Sequence, residues 1–131
     1  DEVLPADDNV ARGVRELTGK RGADVVVDSV GEATWMQSLK AAAKGGRIVT
    51  CGATSGPNPA EEIRLIFWNQ LSIIGSTMGS RTDWREMVAA VNMHRLKPAV
   101  DTVLPLADGR KAYDRMDQAE QFAKIVLSID G

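Results

Sequence analysis

Apolar residues recur along this chain in two rhythms, one helical and one of short continuous runs. Val10, Val14 and Leu17 return at helical spacing, which predicts a helix over residues 8–18. Asp7 or Asp8 can cap it, Gly19 and Gly22 close it, and Lys20 and Arg21 suit the negative end of its dipole. Residues 23–30 read Ala-Asp-Val-Val-Val-Asp-Ser-Val, a β-branched run without alternation. Strands buried on both faces of a parallel sheet have that pattern. A second helix is predicted over residues 33–44, with Trp35, Met36, Leu39, Ala42 and Ala43 on one stripe and Gly45-Gly46 as its stop. Residues 47–51 form the next buried strand.

The alternation continues. A turn-rich loop, Gly52 to Pro59, leads to a short helix carrying Ile63, Ile66 and Phe67, then to a strand over residues 71–76. Thr82 and Asp83 can start a helix that runs to about Arg95, with Trp84, Met87, Val88 and Val91 on one face and Pro98 beyond its end. Strands are predicted at residues 100–104 and 124–129, joined by a short helix near residues 108–116. A short strand at residues 2–4 completes the set. Strands alternating with helices imply an α/β fold built from right-handed β-α-β units. The stretch from residue 100 changes character and is expected to pack apart from the parallel sheet.

Composition narrows the function classes. The chain has 131 residues, 44% hydrophobic and 26% charged, which is ordinary globular composition. A net charge of −2 offers no basic surplus for a nucleic-acid backbone. No apolar run is long enough to span a bilayer, so no membrane partner is expected. One Cys and one His make a metal site within the chain a poor prospect and fit a cytoplasmic protein.

Candidate chemistry lies where the strands end, because open parallel sheets bind ligands beyond their carboxyl edges. The predicted strands end in Val30-Gly31, in Gly52-Ala53-Thr54-Ser55, and in Thr77-Met78-Gly79. Glycine permits close backbone approach, and small hydroxyls and free peptide groups can hydrogen-bond a flat polar ligand. Single residues carry less. His94 reads as a helix-end histidine, Cys51 as a buried inert thiol, and Trp35, Trp68 and Trp84 as packing residues. The Glu61-Glu62 pair reads as a solvated first helical turn. Asp28 reads equally as a ribose contact and as a cap on its own turn.

The ordered set of segments resembles the medium-chain dehydrogenase/reductase family, in its zinc-binding alcohol dehydrogenase and quinone oxidoreductase branches. The segments are residues 22–31, Gly45-Gly46-Arg47-Ile48-Val49 with Gly52 to Gly56, residues 71–79, Lys97-Pro98 with Pro105-Leu106, and Lys124-Ile125-Val126-Leu127. The resemblance implies part of a Rossmann domain: a doubly wound parallel sheet with helices on both faces, here lacking its first two strands. It also implies NAD or NADP as cofactor. Val30 and Gly31 would lie near a ribose, Gly52, Ala53, Thr54 and Ser55 along the nicotinamide side, and Thr77, Met78 and Gly79 toward the ring and its carboxamide.

The same resemblance implies hydride transfer to or from an alcohol, carbonyl, enone or quinone, and a homodimer joined along residues 71–76. Three departures matter. Ala123 stands where the family has Gly before Lys-Ile-Val-Leu. No Gly-x-Gly-x-x-Gly turn opens a helix, so the pyrophosphate site is missing. No catalytic domain or zinc-ligand set is present, so zinc is expected only in a parent protein. The chain is therefore expected to be the rear part of a cofactor domain, inactive alone, with residues 100–131 returning toward the absent domain. The rival expectation is a non-catalytic α/β module that associates with other proteins through a sheet edge.

Overall fold

The computed structural model describes residues 2–7 and 9–129. The chain forms two compact units, Asp1–Met78 and Gly79–Gly131.

The first unit is built on a parallel sheet of three strands, β1 (Ala23–Asp28), β2 (Ala42–Thr50) and β3 (Ser72–Gly75), in that spatial order. The register aligns Asp28 with Thr50 and Thr50 with Gly75, so all three strands end at one edge. Three helices accompany the sheet: α1 (Val10–Leu17), α2 (Trp35–Ala41) and α3 (Ile63–Trp68). This is the α/β arrangement of parallel strands and flanking helices that the sequence pattern predicts.

The opening of the chain departs from expectation. Residues 2–4 form no strand. A strand needs a ladder partner, and instead Leu4 lies against α1, where a Cβ on Gly13 would meet its Cδ1 at 2.9 Å. Asp7 accepts the Asn9 amide at 2.8 Å, just before α1 begins. Asp8, the other capping candidate, lies outside the described residues. Thr18 closes the helix by donating to the Val14 carbonyl at 2.7 Å and accepting the Gly22 amide at 2.9 Å. Gly22 must be glycine: its φ is +95°, and a Cβ would stand 2.7 Å from the Ala41 carbonyl oxygen.

α2 stops three residues short of its predicted end, and Ala42 and Ala43 turn into β2 as buried strand residues. Arg15 provides the reason. Its guanidinium reaches across from α1 to the Lys40 and Ala42 carbonyls at 3.0 and 3.3 Å, satisfying the end of α2 early. Gly45, at φ +75°, then carries an irregularity inside β2 rather than ending a helix.

The core gathers Trp35, Leu39, Ala42 and Ile48, with Val26, Leu65, Ile66 and Leu71 packed against it. Side chains alternate across a strand, so β1 offers Val26 to this core and turns Val25 and Val27 away. Val27 is 70% exposed, which corrects the reading of β1 as buried on both faces. Of the tryptophans only Trp35 is core; Trp68 stands exposed on α3.

The second unit opens with α4 (Arg81–His94). Ser80 and Asp83 form a reciprocal capping box: Ser80 accepts the Asp83 amide at 3.2 Å and donates its own amide to the Asp83 carboxylate at 2.6 Å. Trp84 and His94 lie exposed on this helix. β4 (Val100–Pro105), a 3-10 turn, α5 (Gly109–Asp117) and β5 (Lys124–Ser128) follow. β4 and β5 pair in parallel, and Arg115 ties α5 to β4 through Asp101 at 3.0 Å and Thr102 at 3.1 Å. No helix among the described residues is long and apolar enough to cross a membrane.

Candidate functional site

The loops after β1, β2 and β3 leave the sheet side by side, because their last residues stand in register. Val30, Gly31, Gly52, Ala53, Thr54, Ser55, Thr77 and Met78 therefore gather at one edge of the first unit. Gly79 begins the second unit, one residue before the Ser80 cap.

Asp28 organises the first loop. The residue is only 4% exposed. Oδ1 accepts the Val30 and Gly31 amides at 2.9 and 3.0 Å, and Oδ2 accepts the Ser38 hydroxyl at 2.6 Å. The Thr34 hydroxyl reaches both oxygens at 3.0 and 2.9 Å. Burial pushes this carboxyl up, but the bonds from Ser38, Gly31, Val30 and Thr34 together hold it below the ordinary value. Of its two readings, the turn cap is the one observed. The run Asp-Ser-Val-Gly, followed by Thr34 and Ser38 on the next helix, is the sequence signal for it.

The second loop is fastened to the first. Ser55 donates to the Val30 carbonyl through its amide at 2.9 Å and its hydroxyl at 2.7 Å, and its Oγ accepts the Ala33 amide at 2.9 Å. The Glu32 amide donates to the Gly56 carbonyl at 3.0 Å. Two glycines allow this closeness. A Cβ on Gly31, already at φ +89°, would lie 2.7 Å from the Gly56 carbonyl oxygen, and one on Gly52 would lie 2.6 Å from that of Ser29. Glu61 accepts the Trp35 indole N–H at 2.9 Å. It is thus an exposed carboxylate that also serves as a structural partner, a bond the residue pattern does not announce. Glu62 fits the expected role better, pairing with Arg64, whose side chain holds the carboxyl down to about 2.

These bonds sort the candidates. The amides and carbonyls of Val30 and Gly31, and the amide and hydroxyl of Ser55, are engaged within the protein. Among the described residues of this unit, the amides of Gly52, Ala53, Thr54, Thr77 and Met78 donate to no protein group, nor do the Thr54 and Thr77 hydroxyls. Met78 is 92% exposed. The edge thus presents free donors in two short rows, held by an internally satisfied scaffold. Cys51 is exposed, not buried, with its thiol 3.8 Å from the Asp28 carbonyl. Among the described residues no group of three or more His, Cys, Asp or Glu side chains could hold a metal ion.

Residues 1–93 match the family of zinc-binding dehydrogenases. The chain belongs to that family, within the medium-chain dehydrogenase/reductase superfamily. This member is 33% identical over 131 residues to the 2-dehydro-3-deoxy-L-galactonate 5-dehydrogenase of Pseudoalteromonas atlantica, covering 98% of this chain and 38% of that protein. It superposes on an NAD-dependent alcohol dehydrogenase crystal structure with a TM-score of 0.83 and 37% identity, over 94% of this chain and 36% of that one. A mycobacterial protein complexed with NADPH is similar at a TM-score of 0.76 and 31% identity, over 97% of this chain and 42% of that chain. The chain spans 34–38% of the length of the curated relatives it matches first.

Proposed function

We propose that the chain is the nicotinamide-side portion of the cofactor-binding domain of an NAD(P)-dependent oxidoreductase. The observation that carries this reading is the ledge of free peptide donors at Gly52, Ala53 and Thr54 and at Thr77 and Met78. A nicotinamide carboxamide and its ribose offer acceptors for such donors, and the exposed Met78 side chain offers an apolar surface for the ring. The cofactor, when bound, supplies the hydride, exchanged with an alcohol, carbonyl, enone or quinone. The chain's own residues position and orient. Gly52, Ala53, Thr54, Thr77 and Met78 contact the ligand; Val30, Gly31 and Ser55 shape the surface beneath; Gly79, next in the chain after Met78, is the remaining candidate. The 131 residues alone are catalytically inactive, since a pyrophosphate-binding turn and a substrate domain lie elsewhere in the protein that carries them. Any zinc is held there too.

The same reading places residues 100–131 on the return path toward that substrate domain and the whole protein in the cytoplasm. It joins two copies along residues 71–76, a proposal supported by the outer edge of β3, where Ile73 and Ile74 stand exposed. Reading the coding sequence upstream of Asp1 tests the proposal. A glycine-rich turn between a strand and a helix supports it; a long upstream segment without one refutes it.

A further inference from the structure

The Gly52–Thr54 row sits in a loop with one internal turn, the Gly56 amide on the Ala53 carbonyl at 3.1 Å. That loop is anchored to the end of β1 through Asp28, which touches none of the row's donors. Its carboxylate holds the Val30 and Gly31 amides. Val30 in turn offers its carbonyl to both the amide and the hydroxyl of Ser55, the residue that follows Ala53 and Thr54. The carboxylate is braced from behind by Thr34 and Ser38 on the α2 side. The Cys51 amide, donating to the Asp28 carbonyl at 3.0 Å, ties the start of the same second loop to the same residue. Both ends of the Gly52–Thr54 row thus trace back to Asp28.

We infer that Asp28 is a positioning residue: its buried carboxylate fixes the Val30-Gly31 turn and, through Val30 and Ser55, sets the direction in which Ala53 and Thr54 present their amides. The inference rests on reading the ledge as a ligand site. Acceptor geometry is what positions the loop; the charge adds stability to the same arrangement. Asparagine keeps a carbonyl oxygen for the two amides, and its NH2 can donate to the Thr34 and Ser38 hydroxyls, which rotate to accept. Alanine keeps neither and leaves the two amides and the Ser38 hydroxyl without this partner, while Thr34 retains only the Gly31 carbonyl at 3.3 Å.

Residue-resolved amide exchange and chemical-shift titration with nicotinamide mononucleotide on the whole chain test this. In Asp28→Ala the Ser55 amide should exchange about tenfold faster while the Ile48 amide in β2 is unchanged. Ligand-induced shifts at Ala53 and Thr54 should vanish while those at Thr77 and Met78 persist, a split that general loss of stability does not produce. Asp28→Asn should restore both. Unchanged Ser55 exchange in Asp28→Ala, or an asparagine variant that behaves like alanine, overturns the role of Asp28. If Asp28→Ala does not fold, Thr34→Val combined with Ser38→Ala removes the brace from the other side. Ser55 exchange must then rise, and an unchanged rate is equally fatal. Absence of any ligand shift in the unmodified chain overturns the ligand reading alone, because the exchange arm needs no ligand.

Discussion

The indole N–H of Trp35 donates to Glu61 at 2.9 Å, joining the first turn of α2 to the residue just before the cap of α3. The bond pins the far end of the loop whose near end is held by Ser55. Trp35 is also core, so its two roles separate by substitution. Trp35→Phe should lose the bond and part of the ring's packing, about 1–2 kcal/mol, whereas Trp35→Ala should lose about 3–5 kcal/mol through the larger cavity. Urea unfolding midpoints measure both. Equal losses in the two variants would show that the bond, not the packing, dominates.

Gly52 and Gly75 should respond oppositely to alanine. A Cβ on Gly52 would press on the Ser29 carbonyl at 2.6 Å, while one on Gly75 meets nothing within 4 Å. Gly52→Ala should therefore cost about 1–3 kcal/mol, and Gly75→Ala should change stability by less than about 0.5 kcal/mol. Thermal unfolding of the two variants side by side checks the contrast.

Acid should weaken the fold partly through Asp28. Its carboxyl is held below the ordinary value in the folded chain, so the unfolded chain binds that proton more readily. The stabilisation is complete above the ordinary carboxylate range, about 4, and is lost as pH falls through the lower folded value. Asp28→Asn removes this contribution and should flatten the fall in stability on acidification. Urea titrations across that range measure the slope, and identical slopes in the two proteins would contradict the assignment.

The outer edge of β3 gives a test of association. Its residues pair only with β2 among the described strands, and Ile73 and Ile74 stand exposed. An unpaired strand edge flanked by exposed apolar side chains can pair with another strand. Sedimentation should show a dimer, and Ile74→Lys should shift it to monomer with the fold intact. A monomer in the unmodified chain removes the proposed interface.

Much of this architecture is legible from residue pattern, and the exceptions have physical causes. The runs at Val25-Val26-Val27 and Ile48-Val49 announce their strands, and the glycines that follow announce the loops. α2 cannot be bounded from its own residues, because Arg15, on another helix, ends it. β1 looks buried on both faces because Val25, Val26 and Val27 run without alternation, yet packing covers only the face of Val26. At the sheet edge, sequence names the segments that come together but not the division of labour within them. Whether a peptide group is free depends on bonds across loops, such as Ser55 to Val30, that periodicity does not encode. Glu61 looks like a surface charge until Trp35 is placed beside it.

The central claim is that the ledge at Gly52–Thr54 and Thr77–Met78 receives the nicotinamide half of NAD(P). The most direct measurement is a chemical-shift titration of the chain with nicotinamide mononucleotide, run beside adenosine monophosphate. Binding of so small a part of the cofactor should be weak, about millimolar. The account predicts saturable shifts in the amides of Ala53, Thr54, Thr77 and Met78 with the nicotinamide nucleotide and none there with the adenosine nucleotide. Equal shifts with both, or no shifts at those amides at saturating concentration, would contradict it.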